Sequence, residues 1–469
     1  MTSLRGLILF IYISLFCFQL HAEMRAAETE LRVDIKSPLL KTEAELSQVS
    51  FMRSNSAYFG SEENAQSLTT IGMGVSSNSE RVYVDGHWFY VPQEEFHYFN
   101  VPELSFKMQD ADSVTWIGRH IHNWSEADEF WAAGIWQPRF MWDYLTPQQN
   151  GLTGVHYSSA TSESSQIHLF VSSLFVPDMS PRFRQIDGKI VAKNPWIRTP
   201  PPMANLFNED TPIAVGVEMP TARDVLLRPS VAVQYQKKWN ENLNSQVAYA
   251  YKPVNNLRMS YEYYLQTKDS TSEAIITAYP TFPYEQVATL ESTVTRGGVA
   301  STLSVTHQSP VKESVPQKNI SQNMPEVTTG SLTVQKQLDA QSELGGRAYF
   351  GVIKVWTPTT QDIGENVPEK SLFMLRPQFY LAYRAGVERP VYTRKGRPIL
   401  ARLEGTYDSD QEAAIFTTAI DYNILKNLNV NFAMSFLGAT SDKETEYENG
   451  MIRTFRANDN LSLGMNYVF

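Results

Sequence analysis

Hydrophobic and polar side chains alternate through most of this chain with a period of two. Asn460 to Phe469 reads N-L-S-L-G-M-N-Y-V-F. Leu461, Leu463, Met465, Tyr467 and Phe469 therefore fall on one face of an extended strand, and Asn460, Ser462, Gly464 and Asn466 on the other, because successive side chains of a strand point to opposite sides. One face is apolar and the other is wet. The same rhythm sets Leu428, Val430, Phe432, Met434 and Phe436 against Asn429, Asn431 and Ser435. It sets Phe373, Leu375, Phe379, Leu381 and Tyr383 against Arg376, Gln378, Tyr380 and Arg384, and Leu257, Met259, Tyr261, Tyr263 and Leu265 against Arg258, Ser260, Glu262 and Gln266. Such strands suit hydrocarbon on one side and water on the other, the condition of a transmembrane β-barrel wall.

From residue 66 onward strand candidates follow one another without a convincing amphipathic helix between them. They lie near 66–75, 81–91, 100–108, 112–118, 151–159, 165–176, 226–237, 244–252, 256–265 and 271–279. They continue at 285–296, 298–307, 328–338, 343–356, 372–387, 399–407, 413–424, 428–438 and 459–469. Short connections such as 426–427, 339–342 and 160–164 alternate with long ones at 119–150, 177–225, 308–327, 357–371 and 439–458, the grading of short periplasmic turns and long outer loops. Connection 388–398 is too long for the short side. The candidates number an odd count, whereas both termini in the periplasm require an even one. The expected fold is an all-β, antiparallel up-and-down transmembrane barrel of about 18 strands, with 16 to 20 allowed.

The start of the chain reads as a secretory signal. Arg5, the apolar run Gly6 to Phe18 and Leu20-His21-Ala22 predict a signal peptide over 1–22. Residues 23–65 are read as a periplasmic N-terminal arm or a first strand, with one or two helical turns over Thr42 to Gln48, and 66–469 as the barrel with inserted loops 119–150 and 177–225. No run of eighteen apolar residues occurs, so any crossing uses strands. The lone Cys17 lies inside the signal. The formal net charge of the whole chain is −10, and removing the signal takes away only Arg5. An acidic chain argues against nucleic acid as a partner.

The terminal alternation ending in Tyr467 and Phe469 resembles the closing strand of Gram-negative outer-membrane β-barrels. The resemblance implies a cell outer-membrane location, contact with outer-membrane lipid, and recognition of the last strand by the barrel-assembly machinery. A homo-oligomer is compatible with it. The function expected is a porin-like channel for passive diffusion of small polar solutes. The alternatives are a barrel for polysaccharide export or surface assembly, and an outer-membrane lipid hydrolase.

The wet face collects Glu103, Lys107, Arg228, Arg258, Glu262, Arg347, Arg376, Arg384, Arg402, Glu404 and Asp421. Arg or Lys on the lipid side would cost about 2 to 4 kcal/mol at midplane, so their placement predicts a hydrated lumen. Of these, Arg228, Arg258, Glu262, Arg376, Arg384, Arg402 and Glu404 are the candidate pore-lining residues. Arg376 and Arg384 beside Arg402 and Glu404 can form an electrostatic constriction or pair across the wall. Seven of the nine Trp fall between His87 and Trp196, where Ser125 to Asp128 matches a helix-capping pattern and predicts a short helix to about Ala133.

Enzyme signals are thin. His156-Tyr157-Ser158 shares the H-x-S spacing of the outer-membrane phospholipase A family, but Ser159-Ala160-Thr161 follow where that family continues with polar and Gly residues. His120 and His122 have no third metal ligand at familiar spacing. No catalysis, metal or cofactor is expected.

Overall fold

A computed structural model describes residues 41–52, 64–200, 202–206, 209–268, 271–311, 320–321, 324–338, 345–357, 378–394, 397–441 and 450–469. Eighteen strands form one sheet. They are β1 (Lys41–Phe51), β2 (Ser67–Asn78), β3 (Val82–Val91), β4 (Phe96–Gln109), β5 (Ser113–His120) and β6 (Leu152–Ser162). Next come β7 (Ser165–Ser172), β8 (Ser230–Lys238), β9 (Leu243–Pro253), β10 (Tyr284–Arg296), β11 (Val299–Pro310) and β12 (Val327–Leu338). The last are β13 (Gly346–Trp356), β14 (Leu381–Arg394), β15 (Arg397–Asp408), β16 (Ala413–Leu425), β17 (Leu428–Ala439) and β18 (Asn460–Val468).

Each strand runs antiparallel to its sequence neighbour, and β1 pairs antiparallel with β18 from Glu43↔Val468 to Phe51↔Asn460, which closes the sheet on itself. Closure removes the free edges that an open sheet would expose. The apolar faces point outward and stay uncovered. Leu463 is 51% and Phe469 70% exposed, and Leu46, Ile71, Phe106, Leu290, Leu303, Leu332, Leu403 and Phe416 are exposed likewise. A ring of exposed Leu, Val, Phe and Tyr around a closed sheet is the exterior pattern of a transmembrane barrel.

The described strands correct the sequence reading at three places. Residues 42–48 are not helical, because β1 is paired on both edges from Glu43 to Ser50, and that pairing overrides the local propensity of T-E-A-E-L-S-Q. The stretches 256–265 and 271–279 are strands, but not of the barrel. Arg258–Lys268 and Thr271–Thr281 join Met203–Leu206, Glu209–Val217 and Ile320–Ser321 in a separate five-stranded sheet built from long connections. Alternation is equally strong in such a sheet, so period alone does not separate it from a wall strand. Finally, β14 extends to Arg394 and β15 begins at Arg397, which shortens the suspect connection. Exchanging the two surplus strands for β1 gives an even count.

The short connections 79–81, 110–112, 163–164, 239–242, 297–298 and 426–427 lie at one end of the barrel, with the outer ends of β1 and β18. From the other end leave 121–151, 173–229, 254–283 and 440–459.

Candidate functional site

The interior divides into two halves. Near the long-loop end the inward side chains, apolar and polar alike, are covered by inserted chain, whereas near the short-turn end the inner face carries charges that are only partly covered.

The segment after β5 folds inward. Helix α1 (Glu126–Trp131) starts at Ser125, whose hydroxyl accepts from Asp128 N as the sequence predicts, and stops at Ala132 in the left-handed conformation. The Asp128 carboxylate then accepts from the backbone N–H of Ile135 and Trp136, both at 3.0 Å, folding the chain back on the helix. Trp124 and Trp136 stack at 5.2 Å on the small inward residues Ala232, Ala248 and Ala250 of β8 and β9. Trp131 packs among Ile353, Val355 and Ala382 of β13 and β14, and its indole N–H donates to Ser331. Indoles fill space that alanines leave, and each buries roughly 150–250 Å². The Trp-rich stretch thus supplies a core that ties this segment to the wall.

Polar contacts fix the same segment. Glu291 of β10 accepts from Ser125 Oγ at 2.5 Å and from the N–H of Glu126 and Ala127 at 3.0 and 3.2 Å, satisfying donors a helix start leaves unpaired. Asn255 donates to the carbonyls of Gly134 and Ile135. Lys252 and Glu285 form a buried pair at 2.9 Å beside it. A second insertion meets the first where Asp178 accepts from Arg139 N at 2.6 Å. Burial pushes the Asp178 carboxyl up to about 7, against the opposing hydrogen bond and the charge of Arg139.

At the short-turn end the inner face carries Glu43 and Glu45 on β1, Asp85 and His87 on β3, and Lys107 on β4. Further round the wall stand Arg347 on β13, Glu388 on β14, Arg402 and Glu404 on β15, and Asp421 on β16. Arg347 meets Glu388 at 3.4 Å, and Glu388 stands opposite Arg402 in register. Tyr349 donates to Glu404 at 2.5 Å across Gly386, where a Cβ would lie within 2.3 Å of the phenol ring.

The candidate pore-lining residues separate accordingly. Arg402 and Glu404 are on the inner face of β15. Arg384 is inward too, but its guanidinium donates to Phe130 O at 2.6 Å among the rings of Phe130, Trp131 and Phe379, so it holds α1 and does not face open lumen. Arg228 precedes β8, bonded to the carbonyls of Asp224 and Phe282 at the long-loop rim. Arg258 and Glu262 belong to the separate sheet, where Tyr279 donates to Glu262. Arg376 lies outside the described residues. Sequence reasoning missed Glu43 and Glu45 because the apolar face of β1 is weak. It also missed Glu291, although strict alternation against Leu290 and Val294 places it inward.

The H-x-S pair does not act as a unit. Ser158 hydrogen-bonds His168 of β7 at 2.5 Å, not His156, and is 3% exposed. His120 closes β5, and His122 follows it into the inserted segment. His120 Nδ1 meets Glu103 at 2.6 Å and His122 Nε2 meets Gln234 at 2.8 Å, within one packed group with His156 and His168.

No family model matches the chain, and no curated protein matches it. Solved structures do. A BenF-like porin from Pseudomonas fluorescens Pf-5 has 10% identity and a TM-score of 0.48, covering 92% of this chain and 99% of its own. OccAB1 of Acinetobacter baumannii has 10% identity and 0.47, covering 94% and 98%. OccK2 (OpdF) of Pseudomonas aeruginosa in complex with glucuronate has 10% identity and 0.46, covering 92% and 96%. Each is a likeness at low sequence identity.

Proposed function

We propose that the protein is a porin-like outer-membrane channel for passive diffusion of small polar solutes. The observation that carries this reading is the charged inner face near the short-turn end, from Glu43 and Glu45 round to Arg402 and Asp421, inside a closed wall whose exterior is apolar. Charges in such numbers are stable inside a barrel only with water beside them, and water through a wall of about 18 strands is a conduit. Arg347, Arg402, Glu404 and Asp421 line the path. Segment 121–151 narrows the long-loop half, and Arg384 sets its position.

The outer-membrane location, the lipid contact of the exterior and delivery through the barrel-assembly machinery by β18 belong to the same reading. Protein refolded from residues 23–469 and inserted into a planar bilayer gives discrete conductance steps. A heat-modifiable, folded barrel that gives no steps at any voltage overturns the reading.

A further inference from the structure

Four of the eight histidines meet where segment 121–151 leaves the wall. His120 ends β5, His156 and His168 face inward from β6 and β7, and His122 is the second residue of the segment itself. The rings of His122 and His168 stack at 3.6 Å, and His120 and His156 meet edge to face at 5.3 Å.

Their hydrogen bonds fix where the protons sit. Carbonyl oxygens only accept, so His156 Nε2, 3.1 Å from Leu152 O, carries hydrogen. Its Nδ1, 3.2 Å from His168 Nε2, then accepts, and His168 Nδ1 accepts in turn from the Ser158 hydroxyl. The amide nitrogen of Gln234 donates to the carbonyls of Asn123 and Trp124, which leaves its oxygen to accept from His122 Nε2. Neutral rings satisfy every one of these bonds. A proton added to His156 Nδ1 would aim two N–H donors at each other, and protons on both His122 and His168 would stack two cations.

The contact reaches α1. Gln234 and Gln236 both donate to Gln246, and Gln246 donates to Glu291, the residue that holds the helix start. Few charges face the cluster. Glu103 on β4 bonds His120 alone, and Lys107 stands opposite Trp116, which stacks on His120. Arg119 on β5 is turned to the carbonyl of Gly151, and Tyr83 on β3 meets His120 edge-on. Asp128 of the segment is engaged by Ile135 and Trp136. The described partners of β6, β7 and β8 here are Ser158, Gln234 and Gln236, all uncharged.

From this geometry we infer that the imidazoles of His122, His156 and His168 are an acid-sensitive lock on the root of segment 121–151: neutral, they hold it against β5 to β8, and protonated, they release it. The inference rests on the channel reading for its effect on flow, but not for the release itself. His122 supports the direction. Burial lowers its pKa to about 4, against the opposing hydrogen bond to Gln234. A released segment returns His122 to the ordinary value near 6.5, so protons favour release as pH falls through that window. His122 alone would shift the ratio of released to docked forms on the order of 50-fold between pH 7.5 and 4.5.

Two measurements on the full folded barrel test this. Amide exchange of a peptide covering 123–137, corrected for the intrinsic effect of pH, rises at least tenfold between pH 7.5 and 4.5. In His122→Gln/His168→Gln it changes less than threefold. Wild-type exchange that stays flat overturns the lock whether or not the variant folds, as does a folded variant that responds like wild type. In planar bilayers the wild-type conductance increases and grows noisy at pH 4.5, and the variant's does not. Exchange that responds while no current flows at any pH leaves the lock standing and removes the channel. Current that flows with no pH response in either assay does the reverse.

Discussion

The guanidinium of Arg384 on β14 donates to the main-chain carbonyl of Phe130, 254 positions away, at 2.6 Å. That carbonyl lies in the last turn of α1, where helices leave acceptors unpaired and favour positive charge. This wall residue thereby holds the end of the inserted helix, as Glu291 holds its start. Arg384→Met removes the donor and keeps the aliphatic stem against the rings. The expected cost is about 2 kcal/mol, with a larger unitary conductance, checked by thermal unfolding and single-channel recording.

Gly351 is required by the same helix. A Cβ there would lie 2.4 Å from the ring of Phe130. Gly351→Ala should lower stability by roughly 1 to 3 kcal/mol through overpacking, and exchange in 126–131 should rise. An alanine variant with unchanged exchange would show that α1 does not rest on β13.

The side chains of Lys252 and Glu285 are each 4% exposed and 2.9 Å apart. Lys252→Met leaves the carboxylate buried without its partner and should destabilise by about 3 to 5 kcal/mol. Lys252→Met/Glu285→Leu should recover most of that loss, measured by the denaturant midpoint of each variant.

Asp178 gives a pH dependence of known sign. Its carboxyl is held up at about 7, above the ordinary 3.8, so the folded state keeps a proton that the unfolded state has released. Its contribution to stability therefore falls as pH rises from about 4 to 7 and is level above that. Asp178→Asn should match wild type near pH 4 and exceed it at pH 8 in a thermal unfolding series. A difference that does not vary with pH would remove the assignment.

Glu43 and Glu45 bring negative charge to the lumen at the seam of the barrel. Glu43→Gln/Glu45→Gln should shift the reversal potential in a salt gradient toward anions, with little change in unfolding midpoint. No shift would place the ion path away from β1.

The sequence made the wall legible because lipid forces one face of each strand to be apolar, and Leu463, Met465 and Phe469 bear that mark plainly. β1 was hard to read for the same reason in reverse. Its outward residues Thr42, Ala44, Leu46, Gln48 and Ser50 are barely apolar, and only pairing with β2 and β18 identifies it. Residues 258–281 imitate wall strands because a soluble sheet alternates as well. Within the lumen, Arg402 and Glu404 were placed on the inner face by period alone. The tethering role of Arg384 was hidden because its partner is a carbonyl, which leaves no trace in the identity of residue 130. The histidine cluster was equally hidden. His120, His156 and His168 come from three neighbouring strands, and only the folded wall brings them to one place.

The union of β1 with β18 joins Glu43 to Asn466, 423 positions apart in the chain. Contacts so remote form slowly, since the whole ribbon must be gathered before its two borders touch. Until then β1 and β18 each present a row of unsatisfied amides and carbonyls to whatever strand comes near. The hoop is therefore most vulnerable to aggregation just before it is fastened, and its clasp is the place where an assembly helper would do most good.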